Sequence, residues 1–287
     1  MPAENSSNQI RLTRVYDAPV RAVWEAWTDP EQIAKWWGPR GFTLTTHSKE
    51  LRPGGTWRYT MHGPDGVDYP NIATYHVVEP RKTLVYDHGA TDDTPPLFHV
   101  TVTFSEEAGK TTLELAFTLA SPEAAAEMAR HIKRAGGNAT WDRLAEHLDE
   151  ATTGRRRFVI NRTLPAPIAR VFGMWSDPDQ RTQWLPAAQG RAEILTIDAP
   201  RRIVYRHAAA PGTDVGPATL LTTVLFVEEA ADRTRMTVTC EPDTEATRSE
   251  TDAFARERSG MTGAWTSSFD ALESLVGSPS AEVSVTP

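Results

Sequence analysis

The sequence predicts an α+β protein built as two tandem domains, each an antiparallel sheet with two short helices after its first strand and one helix at its end. Three observations predict this. A twenty-residue segment recurs later in the chain, strand-like alternation follows it, and each copy closes on an apolar helical stripe that carries tryptophan. The length of 287 residues agrees, since a domain takes about 150 residues.

The repeat comes first along the chain. Residues 18–37 read APVRAVWEAWTDPEQIAKWW and residues 166–185 read APIARVFGMWSDPDQRTQWL, identical at eight of twenty positions at a constant offset of 148. Val20, Val23, Trp24 and Trp27 fall at i, i+3, i+4 and i+7, as do Ile168, Val171, Phe172 and Trp175. That spacing makes one apolar helical stripe in each copy. Asp29 and Asp177 then stand at an N-cap position, each followed by Pro and, two residues later, Gln. Aspartate there accepts from free amides of the next helix, and proline suits the first helical position. Each copy is thus a helix, a sharp break and a second short helix ending in tryptophan. A period this long excludes a solenoid and indicates a duplicated domain.

The strands follow. Trp57, Tyr59 and Met61 alternate with Arg58, Thr60 and His62; Phe98, Val100, Val102 and Phe104 alternate with His99, Thr101 and Thr103; Leu113, Leu115, Phe117 and Leu119 alternate with Thr112, Glu114, Ala116 and Thr118. Such period-2 alternation predicts an antiparallel sheet with one face in a core and one in water. RPGGT at 52–56 reads as a hairpin turn, where glycine supplies positive φ. LVYDH at 84–88 faces IVYRH at 203–207 at an offset of 119. The second copy has therefore lost residues equivalent to 42–75, about two strands, and Leu221, Val224, Phe226, Met236 and Val238 supply its bulk.

The closing helix of the first copy is expected near 121–150, with Trp141, Leu144 and Leu148 on its apolar side; Trp265, Phe269, Leu272 and Val276 repeat that pattern. These readings divide the chain into a loose N-terminus (1–9), a first domain (10–150), a junction (151–155) with Gly154 as helix stop, a shortened second domain (156–276) and a loose tail (277–287).

Composition limits the function. The net charge is −8 and neither copy is basic, which argues against nucleic acid, because binding phosphates needs a basic footprint. No apolar run approaches a membrane span. The first ten residues, MPAENSSNQI, lack the parts of a secretory signal, so a cytoplasmic location is expected. The single cysteine, Cys240, ends an alternating strand and reads as a small buried hydrophobe.

Five segments carry a family resemblance: DAPVRAVWEAWTDPEQIAKWWGP, RPGGTWRY, MHGPDGVDYPN, EPRKTLVYDH and GGNATWDRLAEHL. In that order they resemble the Hsp90-ATPase-activator-homology branch of the START-like (SRPBCC, Bet v 1-type) superfamily, over residues 10–150 and more weakly over 156–276. The resemblance implies two tandem helix-grip domains, in each of which a curved sheet wraps a long C-terminal helix around a deep apolar cavity. It implies binding of a small molecule more than catalysis. The co-chaperone that gives the branch its name carries a separate N-terminal domain with a Trp-His-Trp motif; residues 1–10 contain nothing similar, so ATPase activation is not carried over.

With that fold, Trp57, Tyr59, Met61, Tyr86, His88, Phe98, Val100 and Phe117 are expected to line the cavity, opposite Met128, Ile132 and Gly136 on the helix. Glycine inside a helix costs about 1 kcal/mol relative to alanine, and Gly136 and Gly137 there suggest free volume. Three function classes remain. The leading one is binding or sequestration of a hydrophobic or polyaromatic molecule of lipid or polyketide type, including self-protection against an antibiotic. The second is a polyketide cyclase or aromatase in which His88 removes a proton and Tyr59 or Tyr86 stabilises the enolate. The third is a chaperone-type interaction module. No cofactor motif appears, and none of His62, His76, His88, His99 or His207 falls in a metal-ligand spacing. The shortened copy is expected to dock on the first and wall its cavity, or else to be an independent relic.

Overall fold

The computed structural model describes residues 7–134, 139–185, 192–208 and 219–277. It divides into two compact units, Met1–Gly154 and Arg155–Pro287.

In the first unit, β1 (Gln9–Tyr16) leads into α1 (Val20–Thr28) and α2 (Pro30–Trp36). The break between the helices is made by Asp29, which stays extended while its carboxylate accepts from the amides of Glu31 and Gln32. Two otherwise unpaired amides of α2 are thereby satisfied. The elbow is then locked by the indole of Trp36, which donates to the carbonyl of Ala26 at 2.9 Å. The second unit repeats this after β8 (Phe158–Leu164): α5 (Ile168–Ser176), the Asp177 cap, α6 (Pro178–Arg181), and Trp184 donating to Met174 at 3.0 Å. Both partners of that bond keep the repeat offset of 148. The second short helix ends sooner than expected, and Trp184 sits in the turn beyond it.

The first sheet has seven antiparallel strands in the order β1-β7-β6-β5-β4-β3-β2, where β2 is Thr43–Lys49, β3 Thr56–His62, β4 Asp68–Glu79, β5 Thr83–Ala90, β6 Phe98–Glu107 and β7 Lys110–Thr118. The second has five, β8-β12-β11-β10-β9, with β9 Glu193–Asp198, β10 Arg202–Ala208, β11 Thr219–Ala230 and β12 Arg233–Pro242. The deleted strands are the counterparts of β2 and β3, so β9 becomes the edge. On β11 the inner face is formed by Leu220, Val224 and Phe226. Leu221 is out of phase with them and points the other way.

The closing segments are α3 (Pro122–Arg134) and α4 (Ala139–Thr153) in the first unit, and α7 (Arg248–Glu257) and α8 (Met261–Gly277) in the second. The helix expected near 121–150 is described over Pro122–Arg134 and Ala139–Thr153, and Gly136 and Gly137 lie outside the described residues. The thread that ties the closing helix to the first helix of each unit is tryptophan. Trp141 of α4 stacks on Trp27 of α1 (5.6 Å, 15°), and Trp265 of α8 stacks on Trp175 of α5 (6.2 Å, 22°). Each unit has its own core, with no member shared. The arrangement in each is a helix grip, with the sheet's inner face against the C-terminal helix.

Candidate functional site

The inner face of the first sheet supplies most of a pocket of about 180 Å³. Met61 comes from β3, Tyr86 and His88 from β5, Phe98 and Val100 from β6, and Phe117 from β7. The register explains the grouping: Tyr86 faces Val100 and Val100 faces Phe117 across the ladder. Thr140 and Trp141 of α4 form the opposite wall, and the loop Trp37-Gly38-Pro39 after α2 closes one side.

That loop is held from α4. The Arg143 guanidinium donates to the carbonyls of Gly38 and Pro39 at 2.9 and 2.8 Å, and to those of Trp37 and Lys35 at 3.3 and 3.1 Å. One turn on, the buried Glu146 takes a bidentate pair from Arg40 at 2.6 and 3.0 Å. Gly38 has φ +89°, and a Cβ on it would stand 3.2 Å from the sulfur of Met61. Glycine is required here by both the left-handed backbone and the close approach to the pocket wall.

His88 is the polar group of greatest chemical interest. Its ring stacks on Phe98 at 4.8 Å, and Nδ1 lies 3.4 Å from the Tyr59 hydroxyl. It is enclosed by protein except toward the pocket, and burial pushes its pKa down to about 4, so the imidazole is neutral at physiological pH. Burial likewise raises the Tyr59 and Tyr86 hydroxyls above their ordinary range, and a hydrogen bond with Trp37 only partly offsets this for Tyr59. Beyond the tryptophans, Lys49 donates to the Trp27 carbonyl and lies over the Trp57 ring, and its pKa is down to about 7 through desolvation.

Of the eleven residues expected to line a cavity, Met61, Tyr86, His88, Phe98, Val100 and Phe117 do so. Trp57 and Tyr59 do not. They stack on each other at 3.9 Å, are 2% and 1% exposed, and fill the core beneath the loop instead. Met128 is half-buried on α3 and is not part of the wall. Ile132 lies on α3 with its side chain undescribed, and Gly136 lies outside the described residues. Trp37, Gly38, Pro39, Thr140 and Trp141 were not anticipated as lining. Trp-Trp-Gly-Pro and Ala-Thr-Trp were visible as motifs, but only the fold brings them to one hollow.

The second unit carries the same register with different contents. Tyr205 faces Thr222, and Thr222 faces Cys240, where the first has Tyr86, Val100 and Phe117. His207, the counterpart of His88, bonds Thr222 at 2.9 Å, and Thr222 in turn reaches the Cys240 sulfur at 3.4 Å. All four side chains are buried. Cys240 is the buried thiol expected, with its pKa pushed up to about 12.

The family model described as activator of Hsp90 ATPase homolog 1-like protein matches residues 17–149 and 186–277. The chain belongs to that family. Among solved structures similar to this chain, Ms6760 from Mycobacterium smegmatis is 28% identical and covers 52% of this chain and 92% of its own, with a TM-score of 0.44. Two others extend over both units. DynU16, from the dynemicin biosynthetic locus, is 20% identical over 94% of this chain and 99% of its own, with a TM-score of 0.39. The di-domain ARO/CYC BexL from the BE-7585A biosynthetic pathway is 14% identical over the same shares, with a TM-score of 0.44. No curated protein matches the chain. Among the described residues no helix is long and apolar enough to cross a membrane.

Proposed function

We propose that the first unit is a receptor for an apolar small molecule bearing a flat ring, which it holds without transforming it; carriage or sequestration is the resulting role. The pocket carries this reading. Its walls are largely aromatic and aliphatic, and an equal volume sealed dry inside a core would cost about 4 kcal/mol. Such a space is favourable when an apolar guest fills it. The 180 Å³ between the described walls sets how much of the guest they hold. A cavity of about 150 Å³ accepts benzene, so one ring fits, and the remainder of a polyaromatic ligand would extend past these walls.

Trp37 and Trp141 lie in the wall, so intrinsic fluorescence reports occupancy. Titration with a non-fluorescent, quenching single-ring aromatic such as 4-nitrotoluene is expected to give saturable quenching in the full chain. Val100→Trp fills the pocket and is expected to abolish it while keeping the circular dichroism unchanged. Quenching that persists unaltered in Val100→Trp would overturn the reading.

A cyclase-type reaction is the second reading, favoured by the imidazole in the wall. Two features rank it lower. A base with a pKa of about 4 is weak at neutral pH, and Tyr59, its neighbour, is sealed behind the wall. Turnover of a poly-β-keto substrate that is lost in His88→Ala, with binding retained, would reverse the ranking.

A further inference from the structure

On the outer face of the first sheet, away from the pocket, three chemistry-bearing side chains from three neighbouring strands converge. Asp87 of β5 sits directly opposite His99 of β6 in the ladder. On the other side, the register of β4 against β5 shifts between Tyr75 and Val77, which makes His76 the extra residue of a β-bulge. Bulges re-aim side chains. Here the bulge leaves Tyr75 buried in the core and turns His76 outward toward Asp87. His76 Nε2 lies 2.8 Å from Asp87 Oδ2, and His99 Nδ1 lies 2.9 Å from Oδ1, so the carboxylate is held between two imidazoles.

We propose that His76, Asp87 and His99 bind a borderline divalent transition metal of the Zn²⁺ type. The three donors lie within 4.8 Å of one another. Tetrahedral zinc with bonds of about 2.1 Å separates its ligands by about 3.4 Å, so side-chain rotation alone closes the site. Two imidazole nitrogens and one carboxylate suit Zn²⁺, Cu²⁺ or Ni²⁺, whereas Mg²⁺ and Ca²⁺ prefer an all-oxygen shell. Each imidazole nitrogen that now meets the carboxylate must present its lone pair to the metal. Any proton on it moves to the outer nitrogen, on side chains that are 44% and 42% exposed. Three protein ligands leave at least one coordination position to water.

The test is calorimetric titration of Zn²⁺ into the untagged, metal-stripped full chain at pH 7.5, with Mg²⁺ as control. One equivalent of Zn²⁺ is expected to bind, and no Mg²⁺. His76→Ala and His99→Ala are each expected to weaken binding at least about tenfold, while His47→Ala and His62→Ala, at other exposed positions of the same sheet, leave it unchanged. Melting of the metal-free variants at the wild-type temperature separates loss of ligands from loss of fold, and an Asp87→Asn variant serves if either alanine variant fails to fold. No binding, equal binding of Mg²⁺, or Zn²⁺ affinity that ignores both His76→Ala and His99→Ala would overturn the proposal.

Discussion

Single residues in this protein act mainly through what burial does to their polar atoms. Asp29 and Asp177 satisfy two amides each; Asp29→Ala is expected to lower stability by about 1 kcal/mol in a urea titration. The Cys240 thiol, fully buried and protonated, is expected to resist Ellman's reagent at pH 8 in the native chain and to react promptly once denatured. These two aspartates and this cysteine were legible in the sequence, because caps and strand phase are local properties. Depth was not. Trp57 and Tyr59 alternate as cavity residues should and do face inward, yet they pack against each other and fill the core. Period-2 patterning names the face of a strand and is silent on whether opposing side chains meet. The His76–Asp87–His99 grouping was equally hidden, because it depends on a bulge and on the pairing of three strands.

At the scale of elements, α4 organises the pocket. Arg143 and Glu146 lie three residues apart on one helical face, and each grips the 37–40 loop. Arg40→Ala removes the bidentate pair to the buried Glu146 carboxylate and is expected to cost about 1.5–3 kcal/mol, the range of a hydrogen bond to a charged group. The pair Arg40→Met with Glu146→Leu is expected to recover most of that loss. A double-mutant cycle by chemical denaturation measures the coupling. Helix order, the two elbows and the shorter second sheet could all be read from the repeated motif and the missing residues between the two Val-Tyr strands. What the motif did not reveal is which turn of the closing region meets the pocket, since the apolar stripe alone does not say that Thr140 and Trp141 of α4 reach its wall.

For the molecule as a whole, the buried titratable groups set a pH profile. The folded pKa of His88, about 4, lies below the ordinary value of 6.5, so the unfolded chain takes up the proton first as pH falls. Its stability contribution is complete above pH 6.5 and is lost toward pH 4, at most about 3 kcal/mol and less when water enters the pocket. Lys49, down to about 7 from 10.5, has the same sign: stability grows as pH rises through that window. Cys240, raised from 9 to about 12, has the opposite sign and erodes stability above pH 9. Melting temperatures followed from pH 4 to 11 are therefore expected to peak on the alkaline side of neutrality; a maximum below pH 6 would contradict these assignments.

The duplicated elbow also sets an order of assembly. In each copy the indole that pins the two short helices reaches a carbonyl only ten positions away, a closure that a nascent chain can make with almost no search. The stacking of Trp27 on Trp141 joins the two ends of the first copy, and loop closure over that span is entropically slower. On the ribosome, the hinge of each half thus has all its partners as soon as its own residues have emerged, while its aromatic keystone must wait until the last helix has emerged.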